Sequence, residues 1–356
     1  MPPITCREIG IALDMSGCPN RCRHCWLGSH PNPSMTEDDL RWAADRFRDF
    51  VRDGDAEPFI EKLWVSSYFR EPDFSDDYRR LAALEGQLGC GEPNRFELLS
   101  IHRLARDPVY AEWAKKIGPD TCQITFFGLQ ETQDWFHRRR GAFEDSITAT
   151  QRLLDAGMKP RWQFFLTKNI VPDLAGLMKL VDELRIRERV RALGGEFVMF
   201  MHPPGCEGEG RHIYDLSAEI EDTEAIPAEL VESSKKHFNT EDLWTVESDV
   251  IARAMRDPDS RLDPPPYPER LYFFVLGNWD VFSNLGTLDP WWKLGNLKTD
   301  SVASIIDAFE HDVPLGLRVH KIVSLRDLAL RYGNPQSRFV VNGIPSYWRE
   351  RYCAGR

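Results

Sequence analysis

Ile9-Gly10-Ile11-Ala12-Leu13 leads into Gly17-Cys18-Pro19-Asn20-Arg21-Cys22-Arg23-His24-Cys25-Trp26. The first run is short and apolar, as a buried strand is. The loop after it carries cysteines at C-x3-C-x2-C spacing. Three thiolates in one polar loop are soft ligands, suited to an iron–sulfur cluster or to zinc. Three is one short of a closed zinc site or of a fully ligated four-iron cluster. A cluster held this way keeps one iron open to a small molecule. Zinc is the alternative, with His24 or His30 as fourth ligand, and so is a redox pair at Cys22-x-x-Cys25. Packing alone explains three such cysteines poorly.

Outward from the loop the pattern alternates. Ser34-Met35-Thr36-Glu37 reads as a capping box ahead of helical spacing over 40–51. Strands are expected at 63–69, 96–101, 123–127, 161–166 and 196–201, and helices at 77–88, 142–156 and 173–184. Asp107-Pro108 opens a further helix, and Gly157 stops the one before it. Strand–helix alternation of this length predicts parallel strands with crossover helices, in an open doubly wound sheet or a barrel. Sites in both gather at the C-terminal ends of the strands, where the cysteine loop falls. After Pro203-Pro204-Gly205 the character changes. An acidic loop at 207–222, a helix at 227–238 and an Asp- and Pro-rich linker at 257–268 follow. Two strands at 271–276 and 279–282 flank Gly277-Asn278, a hairpin-type turn, and a helix spans 301–309. The expected division is 1–215 and 216–356.

Composition narrows the class. The chain has 356 residues, 42% hydrophobic and 28% charged, as globular proteins do. Eight cysteines are too dilute for a disulfide scaffold. A formal net charge of -11 argues against nucleic acid or anionic membrane as partner. No apolar run has membrane-spanning length and Met1 to Cys6 has no signal-peptide character, so a cytoplasmic location is expected.

The cysteine loop resembles that of the radical S-adenosylmethionine (radical SAM) superfamily, in which C-x3-C-x-aromatic-C ligates a [4Fe-4S] cluster. The resemblance implies a partial (β/α)6 TIM-like barrel on 1–215 with a smaller α+β SPASM/twitch-like domain on 216–356. It makes Cys18, Cys22 and Cys25 the cluster ligands and puts His24 near the adenine of S-adenosylmethionine. Ser66-Ser67-Tyr68-Phe69-Arg70-Glu71-Pro72 is similar to the family's Gly-Gly-Glu-Pro segment. Glu71 would hold the amino group of S-adenosylmethionine, helped by Ser100. Phe69 and Arg70 stand where the family has glycines. Arg140, before Gly141, would reach its carboxylate, with Arg138 and Arg139 as neighbouring choices. Gln163 would reach the ribose. Glu71, Ser100 and Gln163 each have a purely structural reading as well: a helix-start acid, a backbone-capping hydroxyl and a buried amide.

The C-terminal part, "LYFFVLGNWDVFSN" and then "WWKLGNLKTDSVASIIDAF", resembles a SPASM/twitch region. The family places auxiliary-cluster cysteines there; here the only cysteine beyond residue 206 is Cys353. The resemblance therefore implies a degenerate domain that caps the barrel, with Trp279, Trp291 and Trp292 lining a substrate pocket or filling the domain core. It implies an external flavodoxin- or ferredoxin-type electron donor and a 5′-deoxyadenosyl radical that abstracts a substrate hydrogen. Without a second cluster, a redox-neutral outcome is expected: epimerisation, rearrangement or elimination on a small molecule. Modification of a peptide is the alternative, although no extra peptide-recognition segment is expected before the loop. Cys206, beside His202 and Arg211, is the candidate hydrogen donor, against the reading of an exposed loop thiol. Cys6, Cys90, Cys122 and Cys353 read as structural.

Overall fold

The computed structural model describes residues 4, 7–92, 95, 97–262 and 270–356. Cys6, Phe96 and the proline run at 264–266 lie outside them. Among the described residues eight strands form two sheets. They are β1 (Glu8–Leu13), β2 (Lys62–Ser66), β3 (Thr121–Phe126), β4 (Lys159–Phe165), β5 (Met199–His202), β6 (Leu271–Val275), β7 (Asp280–Ser283) and β8 (Gly295–Asn296). The first sheet has the order β2-β1-β6-β7-β8 and the second β3-β4-β5.

β1 runs parallel to both β2 and β6, with Ile11 opposite Val65 on one side and Phe273 on the other. β3, β4 and β5 are parallel too. The expected parallel α/β architecture is thus present, as two sheets and not as a closed barrel. Period-2 alternation decides which face is buried. Ile9, Ile11, Leu13, Phe273 and Val275 pack against the helices Glu37–Arg48 and Val302–Glu310 through Leu40, Phe47, Ile305 and Phe309. In the second sheet Ile124, Phe126, Trp162, Phe164, Met199 and Met201 do the same with Leu153, Leu177 and Leu230. Gly10, on the opposite face of β1, is required by close approach: a Cβ there would collide with the Tyr272 ring.

Three expectations are corrected. The strand at 96–101 does not form over 97–101; Ser100 instead caps the helix Ile101–Arg106. One backbone bond remains of that pairing, Gln123 N–H to the Glu97 carbonyl at 2.9 Å. Arg95 is buried beside it, 2.8–2.9 Å from Glu85 and Asp73, and Tyr110 donates to Asp73 at 2.7 Å. A buried ion triad occupies the region where an apolar strand was expected. Secondly, the capping box is Thr36 with Asp39, which starts the helix Glu37–Arg48 two residues beyond the Ser34 reading. Thirdly, 207–222 is not plain loop but holds the 3-10 segments Gly208–Leu216 and Ile220–Ala225.

Removing Arg95 strands two buried carboxylates. Arg95→Met is expected to lower the unfolding free energy by roughly 3–5 kcal/mol, read from urea denaturation of purified protein.

The C-terminal residues join the first half through β6. The helix Ile344–Ala354 then locks onto them with indole donors: Trp348 Nε1 to Glu247 at 2.8 Å, and Trp291 and Trp292 Nε1 to Glu350 at 2.9 and 3.2 Å. Trp292 is buried, and Trp279 packs edge-on against Trp42 at 5.1 Å. Trp292 and Trp279 thus pack in the core shared with β1 and the helix Glu37–Arg48, and Trp348 in a separate C-terminal cluster. Among the described residues no helix is long and apolar enough to cross a membrane.

Candidate active site

The cysteine loop follows β1 at its C-terminal end and is held from three sides. Gly17 has φ +72, and a side chain there would strike Asn32, whose Oδ1 accepts the Cys18 N–H at 3.0 Å. The helix Gln130–His137 ends against the loop, so its last carbonyls find donors there: Arg21 N–H to His137 at 3.2 Å and Arg23 N–H to Phe136 at 2.9 Å. From the third side Glu209 N–H meets the Cys25 carbonyl at 3.0 Å. Gly208 permits that approach, because a Cβ there would collide with the Trp26 carbonyl.

Cys18, Cys22 and Cys25 are free and line one cleft of about 230 Å³ with Glu71 and Arg139. Burial pushes all three thiols up from their ordinary pKa. Metal loading would therefore release protons. Asn20 N–H points at Cys18 Sγ at 3.4 Å, and the Leu27 and Gly28 N–H groups stabilise the Cys25 thiolate. The donor set, soft sulfur with N–H groups directed at it, fits an iron–sulfur cluster. Among the described residues no three His, Cys, Asp or Glu side chains are spaced to hold a single metal ion. His30 turns to the Leu27 carbonyl at 2.9 Å and borders a neighbouring cavity.

His24 lies against Phe127 and Phe165, with ring centroids 4.4 and 5.1 Å away. Its Nδ1 is buried without a partner among the described residues, and desolvation lowers its pKa to about 3, so the ring is neutral. Glu71, past the end of β2, accepts the Ser100 hydroxyl at 2.8 Å and the His102 N–H. Desolvation still raises its pKa to about 7. Ser100 also accepts the Arg103 N–H at 3.0 Å, so it caps a helix, as its structural reading has it, while its hydroxyl is given to Glu71.

Of Arg138, Arg139 and Arg140, Arg139 lines the cleft; Arg140 is exposed and does not line it. Arg138 takes φ +51 at the end of its helix, and the reversal carries Arg139 inward. Arg139 is fixed by Asn20 Oδ1 at 2.6 Å and Asp145 at 2.7 Å. Gln163 on β4 does not line the cleft; it accepts from Gln123 at 2.5 Å and from Thr125 at 3.3 Å, which do. Thr125 stands opposite Gln163 in register, so strand alternation carried the signal for both. Cys206 is fully buried among Val319, Leu328 and Trp348, with its thiol pushed up by burial, and does not line the cleft.

No family model matches the chain. A Fe-coproporphyrin III synthase of Methanosarcina barkeri (strain Fusaro / DSM 804) is 25% identical over 116 residues, 33% of this chain. The match spans 28% of that relative's length. A structure of native anSMEcpe with bound AdoMet superimposes with a TM-score of 0.53 at 14% identity, covering 98% of this chain and 97% of that one. Native anSMEcpe with bound AdoMet and Cp18Cys peptide gives 0.53 at 13%, covering 98% and 96%. At these identities the likeness is one of fold, and it extends over nearly the whole chain. The fold shared with these AdoMet-bound structures agrees with the parallel α/β architecture expected from the sequence.

Proposed function

We propose that the chain is a radical SAM enzyme: Cys18, Cys22 and Cys25 hold a [4Fe-4S] cluster, and S-adenosylmethionine binds along the same cleft. The observation that carries this is the convergence of three free thiols, a desolvated carboxyl and a guanidinium at the C-terminal ends of parallel strands. A bound, reduced cluster supplies the electron that splits S-adenosylmethionine. The chain's own side chains bind and orient. Glu71, steadied by Ser100, accepts the ammonium. Arg139 meets the carboxylate, for which its planar, permanently charged fork is suited. His24 with Phe127 and Phe165 offers the adenine a flat, uncharged wall, and Gln163 holds Gln123 and Thr125 toward the ribose.

Arg139 and Arg140 separate in a binding measurement. Arg139→Ala is expected to weaken S-adenosylmethionine binding roughly 10- to 100-fold. Arg140→Ala leaves it within about twofold, as a surface change does. Anaerobic equilibrium dialysis reads both; equal losses would contradict the assignment.

The substrate reading is a redox-neutral change to a small molecule, because the sequence between Cys206 and Cys353 offers no cysteine for an auxiliary cluster. The peptide held in the second anSMEcpe structure favours a peptide substrate as the other reading. This reading includes a cap formed within residues 216–356 that excludes water and oxygen, a cytoplasmic location and a flavodoxin- or ferredoxin-type electron donor. The test is anaerobic reconstitution with iron and sulfide, then dithionite and S-adenosylmethionine. The expected product is 5′-deoxyadenosine; none above a protein-free control would refute the proposal.

A further inference from the structure

Arg70 stands where the resemblance has glycine, yet it is not among the residues with left-handed backbone. Nothing in its φ calls for glycine, and its side chain has a use. It turns back over the cysteine loop and is 5% exposed. Nε donates to Asp14 Oδ1 at 3.0 Å and Nη2 pairs with Asp14 Oδ2 at 2.5 Å. Nη1 donates to the His30 carbonyl at 2.9 Å and Nη2 to that of Pro31 at 3.2 Å. Nη2 also reaches Asn32 Oδ1 at 3.4 Å, the oxygen that accepts the Cys18 N–H. One guanidinium thus ties the ends of β1 and β2 to the tail of the loop and, through Asn32, to the first cysteine.

The same guanidinium lines the cleft with the three thiols. Asp14, 1% exposed, lies behind it, outside the cleft lining. The pair is therefore a buried dipole with its cation toward the sulfur ligands. Buried charges are screened little by salt. One-electron reduction of a cluster adds negative charge, and net charge around the sulfurs sets the potential.

We propose that Arg70 and Asp14 are positioning residues for the cluster loop, and that their dipole tunes the reduction potential of the cluster it holds. The proposal rests on the cluster reading above. The cation favours the reduced state and the carboxylate opposes it. Opposite signs from two partners of one ion pair are a signature that a merely structural pair does not give.

The test is a potentiometric EPR titration of the full, anaerobically reconstituted chain, with dithionite as electron source and iron content measured alongside. Asp14→Asn is expected to move the midpoint to higher potential and Arg70→Met to lower. Arg70→Met should also lose iron to a chelator several-fold faster than wild type. Arg70→Lys keeps the charge without the fork, so it should hold a near-wild-type potential while losing iron like Arg70→Met. Shifts of Asp14→Asn and Arg70→Met in the same direction, no shift in either, or an Arg70→Lys potential equal to that of Arg70→Met would each overturn the proposal. A wild type that takes up no cluster contradicts the proposed function and this inference together. A loaded wild type with unmoved variants contradicts this inference alone.

Discussion

Cys22→Ala should leave the anaerobically reconstituted chain with well under one iron, where wild type holds about four, and should reduce 5′-deoxyadenosine to background. The size of the effect follows from how few ligands there are. With three thiolates a cluster already has one open iron; with two it loses its hold. Cys22 lines the cleft with both Cys18 and Cys25. His24 is wedged between Phe127 and Phe165, and His30 turns to a backbone carbonyl. Iron and acid-labile sulfide assays, with circular dichroism to show that the variant is folded, measure the outcome. Full iron retention in Cys22→Ala would remove the loop from the account.

The second large effect is at Glu71. Glu71→Gln is expected to weaken S-adenosylmethionine binding roughly 100-fold, about 3 kcal/mol, the scale of a charge-assisted bond lost from a desolvated site. Its pH dependence gives a sharper signature. The carboxyl is raised from 4.5 to about 7 by burial. Between those values the folded, ligand-free protein binds a proton that the unfolded chain has released, so its stability falls as pH rises through the window. That loss is on the order of 3 kcal/mol. An ammonium placed against the carboxylate reverses the effect. Affinity for S-adenosylmethionine should therefore climb as pH rises through about 7 in wild type and stay flat there in Glu71→Gln. Calorimetric titrations across that range decide it; parallel pH profiles for the two proteins would show that Glu71 does not meet the ammonium.

What the sequence showed and what it hid divide along physical lines. The cysteine loop was legible because its ligands lie within one local segment, and seven strands were legible from short apolar, aromatic and β-branched runs. The strand expected at 96–101, absent over 97–101, looked right by its apolar residues, Leu98, Leu99 and Ile101. The deciding feature was Arg95, whose burial depends on Asp73 and Glu85 from other segments. The parallel pairing of β6 with β1 joins residues some 260 positions apart, as Ile9 with Leu271 shows, and no local pattern encodes it. The choice among Arg138, Arg139 and Arg140 turned on where a helix ends. That end is made by a left-handed arginine without the glycine that commonly marks one. Phe69 and Arg70 read as departures from a glycine motif, and only the folded contacts show what Arg70 does.

The most direct test of the central claim is EPR of the anaerobically reconstituted, dithionite-reduced chain, recorded with and without S-adenosylmethionine. The account predicts a four-iron signal whose g-values shift when S-adenosylmethionine occupies the open iron beside Glu71 and Arg139. A protein that holds zinc in place of iron, or a cluster signal that S-adenosylmethionine leaves unmoved, would contradict it.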